Sequence, residues 1–292
     1  MATNIYDCII IGAGPAGLTA ALYLARDNKQ VAIIDKEGFG GNIAKSPFVE
    51  NIPGFENISG IDYMTNLYNQ VKKYKVNDFI GNVTLIQNQN GLYLVYDSES
   101  NVLCGKTVII AIGKKFRELK LDTKDVYYCV TCDGPLFKNK NVLVVGAGNT
   151  GATYALELSN YCKNVYICDT LEKLSCEKSL AEKIKTKENI HSIFNTKIKE
   201  VKNKKEKLDS VVFENNEEIK CNGIFSAIGV IPNTVNAPNL VNKNSKGYYT
   251  DVSTPGLFIA GDCHENIDSQ VVCVESDGYK TAKKVKKFLE GN

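Results

Sequence analysis

Arginine is nearly missing from this chain. Only Arg26 and Arg117 are arginine among 292 residues, and lysine supplies the rest of the positive charge. The group best suited to grip phosphate in a two-pronged fork is therefore scarce. Histidine is equally thin, at His191 and His264, and there is a single Cys-x-x-Cys. A structural zinc site needs four ligands, usually as two close-spaced pairs, so no metal is expected. The net charge is +2, which gives no reason to expect nucleic acid. There is no signal-peptide pattern and no apolar run long enough to span a membrane, so a reducing cytoplasm is the expected setting. What is present is ordinary for a soluble globular protein: 43% hydrophobic and 23% charged residues, in a chain long enough for two domains.

Ten cysteines are present, most of them alone in apolar stretches, where a free cysteine behaves as a small buried hydrophobe. Cys129-Val130-Thr131-Cys132-Asp133-Gly134-Pro135 differs from them. A Cys-x-x-Cys beside a dinucleotide-binding pattern reads as a redox pair, in preference to half of a zinc site. Its sulfurs can bridge through a small loop and exchange with other thiols. Asp133 follows directly and is placed to supply or remove the proton that exchange requires.

The apolar run at residues 5–11 is followed by Gly12-Ala13-Gly14-Pro15-Ala16-Gly17, a helical pattern from Leu18 to Arg26, and a strand from Val31 that ends in Asp35. Strand, G-x-G-x-x-G, helix, strand and acid make a complete dinucleotide fingerprint. The glycines admit a pyrophosphate to the helix N-terminus, and Asp35 is positioned for ribose hydroxyls. A second complete unit follows at Gly146-Ala147-Gly148-Asn149-Thr150-Gly151, with Asp169 ending its second strand. The expected fold class is α/β, with two Rossmann-like nucleotide-binding domains. Ala111-Ile112-Gly113 closes another strand in a way that suits close approach to a ligand. Gly261-Asp262 closes a further one, where the Asp reads equally as a ligand to a hydroxylated chain or as a turn former. Helices are expected over 62–75, 178–190 and 270–289, and a hairpin tip at the lysine-rich 202–207. Lysines 283, 284, 286 and 287 are read as complements to the dipole of the last helix.

Taken in order, Gly12-x-Gly14-x-x-Gly17, Gly40-Gly41-Asn42, Asn51-x-Pro53-Gly54-Phe55, Cys129-x-x-Cys132-Asp133-Gly134, Gly229-x-x-Pro232-Asn233-Thr234 and Gly261-Asp262 resemble the low-molecular-weight thioredoxin reductases over nearly the whole chain. The resemblance implies an FAD-binding domain formed by 1–114 and 246–292, with a disulfide-bearing, NAD(P)H-binding-like domain, 115–245, inserted between its parts. It implies FAD contacts from Gly12, Gly14, Pro15, Ala16, Gly17, Asp35, Lys36, Gly41, Asn42, Asn51, Ala111, Gly113, Gly261, Asp262, Gln270 and Val271. It also implies a homodimer, Cys132 facing the flavin as a charge-transfer thiolate, Cys129 exchanging with thioredoxin, and Asp133 acting as the acid. Family members that act as ferredoxin–NADP reductases lack the cysteine pair.

The match fails where NADPH-using members carry His-Arg-Arg-x-x-x-Arg to hold the 2′-phosphate. Here Asp169-Thr170-Leu171-Glu172-Lys173-Leu174-Ser175 stands in that place. A carboxylate opposite a phosphate is repulsive, so NADPH is expected to be a poor donor. Ser269 likewise replaces a basic residue often found before Gln270. Two donors remain: reduced ferredoxin, as in the ferredoxin-dependent flavin thioredoxin reductases, which is favoured, and NADH, whose free ribose diol Asp169 would suit. Rivals in other classes are a flavin redox sensor that does not turn over and a small-molecule dithiol oxidase.

Overall fold

In the computed structural model, which describes residues 4–250, 252 and 254–291, the chain divides into two compact units. One takes the chain to Ala44, then Val49–Lys115, and resumes at Ile231; the other holds Lys45–Phe48 and Phe116–Val230. The fold is the expected α/β class, one Rossmann-like domain inserted in another.

The first unit opens with β1 (Ile5–Ile11), α1 (Pro15–Arg26), β2 (Val31–Asp35), α2 (Gly60–Lys72), β3 (Val76–Ile80), β4 (Val83–Gln89), β5 (Leu92–Asp97) and β6 (Val102–Ile110). A strand covered on both faces needs apolar residues in succession. β1 meets this: Cys8, Ile9 and Ile10 have no exposed surface. It lies between β2 and β6, both parallel to it, with Ile10 beside Ile33 and Ile109. Burying each such isoleucine contributes about 1.5–3 kcal/mol. The β4–β5 hairpin joins the first half of β6 antiparallel. Sequence reading did not anticipate β3. Val-Asn-Asp-Phe-Ile has no continuous apolar run, and four of its five residues are exposed on the sheet edge. Ser59 caps α2 by accepting the Asp62 N–H, and Tyr63, Leu67 and Val71 pack against the core; Tyr74 lies beyond the helix end.

The chain continues through β7 (Lys114–Phe116), β8 (Val126–Tyr127), α3 (Val130–Asp133), β9 (Asn141–Val145), α4 (Asn149–Ser159), β10 (Asn164–Cys168), α5 (Lys178–Lys185), β11 (Ile190–Ile193), β12 (Ile198–Lys204), β13 (Lys207–Phe213), β14 (Glu218–Lys220), β15 (Ile224–Ser226) and β16 (Val230–Pro232). The second unit is centred on a parallel sheet in the order β11-β10-β9-β15-β8, beside an antiparallel sheet β12-β13-β14. The lysine-rich segment is the expected hairpin tip. Lys205 and Glu206 take φ of 52° and 64°, the left-handed pair that a tight hairpin turn requires. α5 ends at Lys185, short of the expected 190, because Asn189 is drawn to the Ser159 and Cys162 carbonyls and the chain turns into β11.

On its return the chain forms β17 (Leu257–Ile259), which joins the second half of β6 in parallel, and α6 (Val271–Leu289). The return begins earlier than sequence reading placed it: residues 231–245 belong with the first unit. Val235 and Ala237 are buried in its core beside Tyr249, the Val235 N–H donates to the Tyr249 hydroxyl at 2.7 Å, and the Ile86 N–H donates to the Asn236 carbonyl. A Cβ on Gly278 of α6 would lie 2.3 Å from the Ala16 carbonyl oxygen of α1, so the two helices can only cross at glycine. Alanine would gain about 1 kcal/mol in helix propensity, but backbone cannot yield to such a clash. Gly278→Ala is expected to lower stability by about 1–3 kcal/mol in urea denaturation; an unchanged or raised midpoint would contradict this packing.

Candidate cofactor site and redox disulfide

β1, β2, β6 and β17 are parallel, so their carboxyl ends share one edge of the sheet, where open α/β sheets bind ligands. Gly12 follows β1 with φ 104°, and a Cβ there would stand 2.3 Å from the Ala111 carbonyl oxygen. Gly14 is the N-cap of α1 and Pro15 begins the helix; no side chain caps the first amides. Asp35 ends β2, accepting the Ala13 N–H at 2.9 Å on Oδ2 and the Glu37 N–H at 2.8 Å on Oδ1. Its carboxylate therefore also shapes the glycine turn, a role sequence reading did not assign. Opposite the turn, the Gly40 N–H donates to the Ala13 carbonyl, and a Cβ on Gly41 would sit 3.2 Å from the Gly14 Cα. Two stretches of bare backbone thus face each other. Lys36, by contrast, is exposed and pairs with Glu37 at 3.2 Å.

The other expected residues gather along the same edge. Ala111 donates its N–H to the Ile11 carbonyl, and Gly113 takes φ 59°. Asn233 fixes that end, donating its amide to the Gly113 carbonyl at 2.9 Å and Nδ2 to Ile112 at 2.8 Å. The Gly261 N–H donates to Asp277 Oδ2 at 2.8 Å. Asp262 Oδ1 is buried with no hydrogen-bond partner, and burial pushes the carboxyl upward against the pull of Lys114 and a hydrogen bond from Ser269. Asn51 Nδ2 donates to Gln270 Oε1 at 3.0 Å; Gln270 is the N-cap of α6 and Val271 its first residue. Asn42 Nδ2 donates to the Lys114 carbonyl at 2.9 Å, and Lys114 Nζ donates to Ser269 Oγ at 2.5 Å. Sequence reading missed Asn233, Asp277 and Lys114 as site residues. Asn233 stood in a quoted motif, while the other two carried no local signal.

The second glycine turn repeats the first. Gly146 takes φ 105°, its Cβ position 2.4 Å from the Ala227 carbonyl oxygen, and Asp169 accepts the Ala147 N–H at 2.7 Å and the Leu171 N–H at 3.0 Å. The Ser175 N–H donates to the Ala147 carbonyl as Gly40 does to Ala13. What faces the turn differs. Ser175 Oγ stands 3.8 Å from the Cβ position of Gly148, and Asn149, first in α4, exchanges two hydrogen bonds with Glu177 at 3.0 and 2.8 Å. Where the first turn meets glycines, the second meets a hydroxyl and a carboxylate.

Cys129 and Cys132 form a disulfide with Cα atoms 5.3 Å apart. Cys129 is the N-cap of α3, its sulfur accepting the Cys132 N–H at 3.2 Å, and fully buried Val130 anchors the turn. Cys129 is buried and Cys132 exposed. Burial pushes the Asp133 carboxyl up from its ordinary value. Six free cysteines are buried; burial pushes Cys162 up to about 11, and Cys8, Cys168, Cys221 and Cys263 up to about 12. Among the described residues no group of His, Cys, Asp and Glu could hold a metal, and no helix is long and apolar enough to cross a membrane.

Residues 6–278 match the family described as pyridine nucleotide-disulphide oxidoreductase. The chain belongs to that family. A thioredoxin reductase of Mycoplasma genitalium is 32% identical over 97% of this chain and 95% of its own length. A 34.2 kDa protein in the rubredoxin operon of Clostridium pasteurianum is also 32% identical, over 98% of this chain and 97% of its own. The crystal structure of Lactococcus lactis thioredoxin reductase superposes with a TM-score of 0.92 at 28% identity, covering 98% of this chain and all of the other. The chain is thus an oxidoreductase of low-molecular-weight thioredoxin reductase type and a flavoprotein whose cofactor is FAD. The first unit's edge fits that group. Uncapped amides suit a pyrophosphate, the glycine cradle leaves room for it, and Asp262 Oδ1 lacks only a donor such as a hydroxyl.

Asp133 should titrate above exposed aspartates of the same protein. Carbon-13 NMR of labelled aspartate, with Asp133→Asn to assign the signal, checks this; a midpoint at or below the exposed groups would refute it.

Proposed function

We propose that this chain is a flavin-dependent thioredoxin reductase that accepts electrons from reduced ferredoxin and disfavours NADPH. The observation that carries the donor assignment is the second glycine turn: Ser175 and the Asn149–Glu177 pair stand before it, with no arginine nearby in sequence. An acidic rim without a guanidinium opposes a 2′-phosphate. The name of the Clostridium relative, which places it in a rubredoxin operon, accords with a one-electron protein donor. An NADH donor is the second reading, because Gly146–Gly151 and Asp169 keep the fingerprint geometry of the first turn.

FAD would be held by the Gly12–Gly17 turn and Gly41 at its pyrophosphate, by Asp35 at the adenosine ribose, and by Asp262 at the ribityl chain. Asn42, Asn51, Ala111, Gly113, Gln270 and Val271 would line the rest. When bound, FAD supplies the electron pair that opens the Cys129–Cys132 disulfide. Asp133, whose carboxyl burial pushes up, delivers a proton to a departing thiolate. The Cys129 thiolate then attacks the thioredoxin disulfide, one thioredoxin sulfur leaving as a thiol. Cys132 attacks the mixed disulfide, restoring the Cys129–Cys132 bond and releasing dithiol thioredoxin. Cys129 is buried in the structure, so this assignment requires the α3 turn to expose it before exchange. The functional assembly is a homodimer in a reducing cytoplasm, where thioredoxin is found.

The oxidised protein, mixed anaerobically with NADPH, NADH and reduced ferredoxin in turn, should lose its flavin absorbance fastest with ferredoxin. Rapid bleaching by NADPH would overturn the donor assignment. Cys132→Ser should abolish multiple-turnover reduction of thioredoxin, and full retained activity would overturn the disulfide route. Reduction of oxygen by added dithiols with no thioredoxin turnover would favour the oxidase.

A further inference from the structure

The loop 49–58 leads into α2 and is closed by its own bonds. Val49 and Ile58 exchange two backbone hydrogen bonds at its base, at 2.8 and 3.1 Å. Its tip is Ile52-Pro53-Gly54-Phe55, where the Phe55 N–H donates to the Ile52 carbonyl at 3.1 Å and Gly54 takes φ 95°. Proline second and a positive-φ glycine third make a type II turn. Ile52 is buried. Base, tip and buried side chain hold Asn51 and Phe55 in one fixed relation.

Two links tie this loop to α6. At the helix start, Asn51 Nδ2 donates to Gln270 Oε1 at 3.0 Å. Across the turn, the Phe55 ring meets the Tyr63 ring edge-on, centres 5.7 Å apart, and the Tyr63 hydroxyl donates to Glu275 Oε1. Burial and the neighbouring carboxylate push that hydroxyl up, so Tyr63 remains the donor. Glu275 is half-buried, and among the described residues Tyr63 is its one hydrogen-bond partner. It stands four residues after Val271, on the same face of α6. An apolar side chain would pack two helices at less desolvation cost. What the carboxylate adds is direction: its bond fixes where Tyr63 ends, and so where the Phe55 side of the loop rests.

We infer that Glu275 is a positioning residue for FAD: through the Tyr63 hydroxyl and the Phe55 ring it sets the loop 49–58, and with it the Asn51–Gln270 bond at the start of α6. The inference rests on the reading of Asn51 and Gln270 as FAD contacts.

The test combines FAD affinity of the apoprotein, read by quenching of FAD fluorescence on reconstitution, with the visible absorption of the bound flavin and the urea midpoint of the apoprotein. Glu275→Leu should weaken FAD on the order of tenfold, the size of one hydrogen bond to a charged group, and shift the flavin bands. Glu275→Gln keeps an acceptor oxygen for Tyr63 and should stay near wild type in both. Tyr63→Phe keeps the ring without the donor and should match Glu275→Leu, and the double variant should lose no more than either alone. With Asn51→Ala already present, Glu275→Leu should change affinity little further. A lowered urea midpoint with FAD affinity and absorption unchanged would make Glu275 a packing residue only and overturn the inference alone. Independent, full losses from Asn51→Ala and Glu275→Leu would do the same. If Asn51→Ala and Gln270→Ala each leave FAD affinity and absorption unchanged, the reading of those two residues fails and the inference fails with it.

Discussion

Two carboxylate-to-amide bonds hold the working parts of this chain in shape. Asp35 takes the Ala13 N–H and Asp169 takes the Ala147 N–H, each amide lying between the first two glycines of a turn. A carboxylate accepting backbone amides is about twice as strong a partner as a neutral acceptor. It fixes a turn whose first and third glycines stand so close to backbone oxygens that no side chain could replace them. Without that bond, uncapped helix amides would have no set direction and an anion at the helix start would have no defined seat. The strand order supplies the rest: β6 and β17 bring Ala111, Gly113, Gly261 and Asp262 to the edge where the first turn opens.

The two turns start alike and part only in what crosses in front of them. Gly40 and Ser175 donate to equivalent carbonyls, so the chain path is the same for one more residue. After that, glycine backbone faces the turn in the first unit, while the Ser175 hydroxyl and the Asn149–Glu177 pair stand before it in the second. The two units therefore differ at this point in a short stretch of side chains, not in the fold. A fingerprint can persist because its glycines are needed for helix–strand packing: Gly151, like Gly17, has its Cβ position within about 2 Å of a backbone oxygen, at 1.8 and 2.0 Å. Retention of the motif is thus weak evidence for a bound dinucleotide.

Much of this was legible in the order of residues. Unbroken apolar runs before each glycine turn marked buried parallel strands, and the acid ending the next strand marked the turn's partner. What escaped had physical reasons. β3 is an edge strand with polar residues at its centre, so periodicity does not reveal it. The early return at Ile231 depends on Val235 and Ala237 packing against Tyr249, a contact between loops with no pattern of their own. Lys114 reaches Ser269 across 155 positions, and only the pairing of β6 with β17 makes them neighbours. The loss of a basic residue at 269 was visible in sequence; the lysine delivered there from elsewhere was not.

Ten cysteines raise the question of why one pair should carry the chemistry. The thiolate is the reacting form. Four of the lone thiols are pushed up to about 12 by burial and one to about 11, so near neutral pH they are almost wholly protonated. At pH 7 a thiol of that kind is ionised in roughly one molecule in ten thousand to a hundred thousand, against a few in a hundred for an ordinary exposed cysteine. They also lie within packed cores that a partner's disulfide cannot enter. The Cys129–Cys132 turn differs: Cys132 is exposed, the Cys129 sulfur, though buried, sits at the start of a short helix against the Cys132 amide, and Asp133, whose carboxyl burial pushes up, lies on the same turn. Burial keeps those five thiols protonated, while the four-residue turn brings Cys132, joined to Cys129, to the surface.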